Sequence, residues 1–217
     1  MKILEIMKKR HSVRQYEDKK IEYEKRDILD VLIREINEET NLHIQVFYDE
    51  PDCFNSALAH YGRVFGVKNY ICMVGKKAEK LDENCGYFGE QLVLKAQELG
   101  LNTCWVALTH GKSKAIVLPD EKEAIIIALG YGKNQGKMHR NKDMRKVCNV
   151  DMNSPDWFIK GMEAVQLAPT AINQQQYYFT YQKDGKVSAV SKWGPYSKID
   201  LGIVKYHFEA VTGIQVE

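Results

Sequence analysis

Two short clusters in this chain have residue types that could do chemistry, and the first has those that hold an anion. The first, Arg10-His11-Ser12-Val13-Arg14, brings two guanidinium groups, an imidazole and a hydroxyl together where an amphipathic helix ends. Guanidinium forks match phosphate oxygens two at a time, and a hydroxyl adds a further donor. The second, Pro169-Thr170-Ala171-Ile172-Asn173, is a Pro-Thr turn with an amide close behind, again at the end of a helix. Between them lie Leu129-Gly130-Tyr131-Gly132 and a basic run of Lys133, Lys137, His139, Arg140, Lys142, Arg145 and Lys146. Arg10, Arg14, Lys137 and Arg140 would repel one another if they converged without an anion among them. Each also has an ordinary reading. The cations suit a solvated surface, Pro169 ends a helix, and Asn173 caps its own turn.

Little else in the chain suggests chemistry. The six histidines are scattered with no HExxH, and the five cysteines (Cys53, Cys72, Cys85, Cys104, Cys148) form no CxxC pair, so no metal site is expected. An odd set of unpaired cysteines fits reduced thiols in a cytoplasmic protein. No side chain stands out as a catalytic acid or base, and a Gly-rich dinucleotide fingerprint is missing. A formal net charge of +2 over 217 residues gives no field that would argue for nucleic acid. No apolar stretch has the length of a membrane span, and Lys8, Lys9 and Arg10 interrupt any leader-like start.

The elements that must position these clusters follow from periodicity. Ile3, Leu4 and Met7 line an opening helix, and Ile28, Leu29, Leu32, Ile33 and Ile36 line a second from about Glu22 to Asn37. Leu42–Tyr48 alternates as a strand, and Tyr70–Val74 is a buried-strand run closed by Gly75. A long helix is expected from about Asn84 to Leu99, with Gly100 as its stop. Strands follow at Thr103–Val106 and Ala124–Leu129, then a helix over Pro155–Leu167 with Ser154 as N-cap. Strands at Tyr177–Gln182 and Val187–Ser191 and a helix over Ile199–Thr212 complete an α+β chain. Tyr87, Phe88, Tyr177, Tyr178 and Trp193 could wall a pocket, although such aromatics usually pack a core.

The chain also looks duplicated. Gly89 precedes Gly100-Leu101 by the same distance that separates Gly202 from Gly213-Ile214, and a helix, a turn and a strand come before the glycine-flanked helix in both cases. The halves would be about 1–150 and 151–217, with Glu38-Glu39-Thr40-Asn41 standing in the first where the Pro169 turn stands in the second.

These motifs resemble those of the nitroreductase-like family of FMN flavoproteins. The basic-Ser-basic motif matches Arg10, His11, Ser12 and Arg14, and the Pro-Ser-Ser-x-Asn turn matches Pro169, Thr170, Ala171 and Asn173, with Ala171 in place of a usual hydroxyl. The resemblance implies a three-layer α+β sandwich, ordinarily an intertwined homodimer with FMN at its interface. It implies that Arg10 and Ser12 bind the phosphate and ribityl chain, that Arg14 faces the pyrimidine edge, and that Lys137 and Arg140 add phosphate-binding cations. It also implies that backbone near Trp105 and Val106 lies beside N5, Trp105 otherwise being an ordinary core residue. Family members carry the Pro-Ser-Ser-x-Asn turn soon after the basic motif, whereas here it comes in the second half. With the repeat, this implies a pseudo-dimer in one nitroreductase-like unit over 1–217, acting as a monomer or homodimer. The chemistry implied is hydride transfer from NADH or NADPH through the flavin to a small-molecule acceptor, such as a nitroaromatic or a quinone. The alternative is an FMN-binding protein without turnover, for storage or regulation.

Overall fold

A computed structural model describes residues 2–55 and 64–217. Its helices are α1 (Ile3–Lys9), α2 (Tyr23–Glu39), α3 (Leu81–Glu98), α4 (Asp156–Val165) and α5 (Ser197–Thr212). Its strands are β1 (Gln45–Phe47), β2 (Asn69–Lys76), β3 (Asn102–Val106), β4 (Glu121–Gly130), β5 (Tyr177–Tyr181) and β6 (Val187–Ser191), and all pairings between them are antiparallel. The class is α+β. The chain divides into two compact units. A sheet unit holds Lys9–Leu81 and Gln91–Lys137, and a hairpin unit holds Asp82–Glu90, Met138–Glu217 and the N-terminal residues through Lys8.

In the sheet unit the strand order is β1-β2-β4-β3. β2 is buried from Asn69 to Gly75 and β4 from Ile125 to Gly130, so both faces of the sheet centre are covered. Tyr70, Cys72, Ile126, Ala128, Cys104 and Val106 share one face and form a core with Val13, Tyr16, Cys53 and Phe54. Ile71, Met73, Ile127 and Leu129 are equally buried and alternate with these, which directs them to the other face. β1 is shorter than the alternation of Leu42–Tyr48 predicts. Pairing with β2 nevertheless reaches beyond it, since Leu42 bridges Gly75 and the His43 N–H donates to the Val74 carbonyl at 2.7 Å, while the Asn37 side chain, at the end of α2, takes both the N–H and the carbonyl of Ile44 (2.8 and 2.9 Å).

The hairpin unit packs β5 and β6 with α4 and α5. Tyr177, Phe179, Val187 and Ala189 point inward, and Phe158, Phe179 and Phe208 form an aromatic cluster with Trp157 and Tyr181. The first half of α3 crosses α5 at backbone contact: a Cβ on Gly202 would lie 1.9 Å from the Glu83 carbonyl oxygen, and one on Gly86 would lie 2.0 Å from that of Ile199. Gly202 therefore meets Gly86's turn of helix, which makes the paired glycines of the crossing Gly86 and Gly202. Behind it His207 and Glu90 are fully buried, with Nδ1 of His207 2.9 Å from the Ala164 carbonyl and Nε2 3.0 Å from Glu90 Oε1. The Ala164 oxygen can only accept, so Nδ1 carries a proton. A second proton must lie between Nε2 and the Glu90 carboxylate.

Two details of α4 correct the sequence reading. The helix starts at Asp156, and Pro155, extended at φ −70° and ψ 149°, is its N-cap. Ser154 caps nothing, because its hydroxyl accepts from the Asp151 N–H (2.9 Å) and donates to the Asp151 carboxylate (3.2 Å). Among the described residues no helix is long and apolar enough to cross a membrane. All five cysteines are buried free thiols.

Candidate functional site

Within the sheet unit the basic cluster is held in an extended segment along β3, an edge strand of its sheet. Ser12 bridges Thr103 in parallel, with the Val13 N–H donating to the Thr103 carbonyl at 3.0 Å. Two residues on, Phe65 donates to the Arg14 carbonyl (2.8 Å) and Tyr16 to the Phe65 carbonyl (3.0 Å). Tyr16 bridges Gly132, with Lys133 donating to the Gln15 carbonyl (2.8 Å). The buried Val13 and Tyr16 anchor the segment in the core, while Arg14 is exposed and Arg10 is 2% exposed.

The loop after β4 closes on the same segment. Gly136 sits at φ +70°, and a Cβ there would come within 2.8 Å of His11 Cβ and 2.9 Å of the Ser12 carbonyl oxygen, so only glycine fits without displacement. Lys137 follows directly. The loop is tied down by the buried Asn102, whose side chain accepts from the Gly132 N–H (2.9 Å) and donates to Gln135 (3.0 Å). Arg10, His11, Ser12, Lys137, Trp105 and Val106 are thus collected on or beside β3.

Electrostatics agree with this crowding of cations. Burial pushes the Cys104 thiol up, while the charges of Arg14 and Arg10 and a hydrogen bond with Ser12 oppose the rise. Burial, and then the Arg10 charge, pull His11 below its usual value, so the imidazole is neutral at physiological pH. The segments along this edge carry a guanidinium, a hydroxyl and an ammonium, and neither of them (Lys9–Arg14, Lys133–Lys137) holds a carboxylate. That donor set suits a phosphate-bearing ligand.

Within the hairpin unit the second cluster forms a locked turn. After α4 the chain passes Pro169 and enters a tight turn over Ala171–Asn173. Ile172, Asn173 and Gln175 all lie in the left-handed region (φ +47°, +56° and +44°). For a β-branched residue such as Ile172 that is an outlier, and such residues cost about 1–3 kcal/mol each unless surrounding contacts enforce them. The contacts are present. The Asp200 carboxylate accepts from the Ala171 N–H at 2.9 Å and from Gln174 Nε2 at 2.8 Å, and Thr170 Oγ1 accepts from the Gln175 N–H at 3.1 Å. Asn173 and Gln175 both donate to the Arg140 carbonyl at 2.9 Å. Lys142 Nζ donates to the carbonyls of Gln174 and Gln175 (2.6 and 3.2 Å). Arg140, Pro169, Thr170, Ala171 and Asn173 are thereby brought together, and Ile172 is left 87% exposed at the tip.

Several of these residues were not legible as functional. Asn102, Lys142, Gln174, Gln175 and Asp200 hold the two clusters, and only Asp200 carried a signal: a lone carboxylate inside the apolar run Ile199–Val204 of a helix. Of the aromatics considered as pocket walls, Tyr177 is core, Tyr87 stacks edge-on with Phe88 and Tyr206, and Trp193 is exposed.

The fold is that of nitroreductases. A putative nitroreductase of Thermotoga maritima superposes with a TM-score of 0.72 at 24% identity, covering 97% of this chain and 83% of that one. An FMN-dependent nitroreductase of Clostridium difficile (TM-score 0.54, 21% identity) covers 69% of this chain and 98% of that one. A putative nitroreductase in complex with FMN from Desulfovibrio desulfuricans (TM-score 0.53, 21% identity) covers 70% and 98%. No curated protein matches the sequence. Residues 2–212 match the family model described as "Putative TM nitroreductase", and the chain belongs to that family.

Proposed function

We propose that the chain is an FMN-dependent oxidoreductase that passes hydride from NADH or NADPH to a small-molecule acceptor such as a nitroaromatic or a quinone, in the cytoplasm. The observation that carries this reading is the anion-suited edge of β3: the Arg10–Ser12 segment, with Gly136 packed against His11 and Ser12 and Lys137 next in the chain, in a member of a nitroreductase family. FMN, when bound, supplies the hydride chemistry through its isoalloxazine ring. Arg10, Ser12 and Lys137 are assigned to its phosphate and ribityl chain, with neutral His11 as a further donor. Arg14, exposed and always charged, is assigned to the pyrimidine edge, where a reduced flavin gathers negative charge. Backbone at Trp105 and Val106 is assigned to the ring. Pro169, Thr170 and Ala171 are assigned to the turn that packs on the ring. Asn173, whose amide bonds the Arg140 carbonyl, joins that turn to the second phosphate cation. No catalytic side chain is assigned, because protein donors and shape suffice to tune the cofactor.

We further propose that the chain is a pseudo-dimer with one flavin site, its halves about 1–150 and 151–217. One observation supports it: the FMN-related structures account for only about 70% of this chain. The test is reduction of the FMN-loaded protein by NADH and by NADPH under anaerobic conditions, then reoxidation by a nitroaromatic or a quinone. Bleaching and recovery of the flavin bands are expected. A loaded protein that neither nucleotide bleaches would leave a flavin-binding protein without turnover.

A further inference from the structure

Asp200 lies in the first turn of α5, 2% exposed, among Ile199, Leu201, Ile203 and Val204. A carboxylate at such depth is costly unless its oxygens are bonded. Both of its partners are neutral donors, and both belong to the strained turn: the Ala171 N–H at one end on Oδ1 and the Gln174 amide at the other on Oδ2. Gln174 also donates to the Pro195 carbonyl at 2.7 Å, which fixes the amide that faces Asp200. A carboxylate serving packing alone would be replaceable by an apolar residue. This one takes a hydrogen bond from each end of a segment whose middle lies in the left-handed region.

We propose that Asp200 is the positioning residue that holds the Pro169–Gln175 turn in the shape that receives FMN, acting through Ala171 and Gln174. The proposal rests on the FMN reading above. The other ionisable groups that face the pair are few. Tyr177 of β5 has a phenol that burial and the nearby charges of Cys148 and Asp200 keep protonated, and the Cys148 thiol is itself pushed up by burial. Lys142 grips the opposite side of the turn through the Gln174 and Gln175 carbonyls. Asp200 is therefore the titrating group on the buried side of the turn. Burial raises its carboxyl to about 6, against the two hydrogen bonds that favour the ionised form.

The test is FMN titration of the full chain by flavin fluorescence from about pH 5 to pH 8, for the wild type, Asp200→Asn, Gln174→Ala and the double variant. Asp200→Asn keeps one acceptor but turns an amide N–H toward the Gln174 donor. Its FMN dissociation constant is expected to rise about tenfold at pH 7.5, as for loss of a charge-assisted hydrogen bond. The gap from wild type should narrow toward pH 5, where the wild-type carboxyl becomes a neutral, weaker acceptor. The flavin phosphate also titrates in this range, and it cancels in the comparison. Gln174→Ala should weaken binding too, and the double variant should be no worse than Asp200→Asn alone. A merely structural Asp200 would lower the melting temperature and leave a ratio of dissociation constants that does not change with pH. That result overturns the proposal, as does wild-type affinity in either folded variant. Should Asp200→Asn fail to fold, Gln174→Ala decides: unchanged FMN affinity overturns it. A wild-type chain that takes up no FMN overturns the FMN reading and this proposal with it, whereas tight wild-type binding with indifferent variants overturns the proposal alone.

Discussion

The buried Asp200 makes stability depend on pH in a direction opposite to that of ordinary surface carboxylates. Its carboxyl sits at about 6 in the folded protein against 3.8 for a free aspartate side chain. Between those values the folded chain holds a proton that the unfolded chain has already released. Stability therefore falls as pH rises from about 4 to about 6 and is flat, for this group, above that range. The difference of about 2 pKa units corresponds to about 3 kcal/mol at 1.36 kcal/mol per unit. Asp200→Asn removes the titration. The variant avoids the cost of a buried charge at neutral pH but sets its amide against that of Gln174, an unsatisfied contact of about 1–3 kcal/mol. Near pH 7.5 the two effects roughly cancel. Toward pH 4 the wild type gains what the variant cannot, so its lead should grow by about 3 kcal/mol. Urea unfolding followed by tryptophan fluorescence at several pH values measures this, and all other titrating groups cancel in the difference between the two proteins. A difference that stays constant with pH, or one that shrinks on acidification, would refute the reasoning.

Other expectations follow from close contacts and the buried pair. Gly136→Ala should destabilise the protein by about 1–3 kcal/mol and loosen FMN, because strain and a clash with His11 and Ser12 coincide there. Gly100→Ala has the same sign of φ but open space around it, so it should cost only about 1 kcal/mol and leave FMN affinity alone. Thermal melts with FMN titrations compare the two. Glu90→Ala should cost about 3–5 kcal/mol by stranding the buried His207, and Glu90→Gln, which retains an acceptor for Nε2–H, should cost markedly less in chemical denaturation. Arg10→Ala should weaken FMN retention more than Arg14→Ala, since the first is buried beside Ser12 and the second is exposed. Equal retention in all three proteins would reject the assignment.

The fold was largely legible because its elements carry strong local patterns. The β6 strand appears with the boundaries its alternation predicts, and α2, β3 and α5 differ by only a residue or two. Where the reading failed, a local contact won: Ser154 is drawn to Asp151, three residues back, instead of capping α4. The basic motif was visible because its residue types are distinctive. Its placement along β3 was not, since the Ser12–Thr103 bridge joins residues far apart in sequence. The residues that lock the Pro169 turn were invisible for a related reason. Gln174, Gln175 and Lys142 are ordinary surface types, and only folding places their amides and ammonium on particular carbonyls. Gly89 stood out by spacing, while the helix crossing uses Gly86, because close approach is set by where two axes meet and not by distance from a stop signal.

The central claim is that this chain holds a flavin, and a visible spectrum tests it most directly. The purified protein would be scanned, incubated with FMN, passed through gel filtration and scanned again. The account predicts flavin bands that travel with the protein at about one FMN per chain. A colourless protein that emerges without added FMN would contradict it.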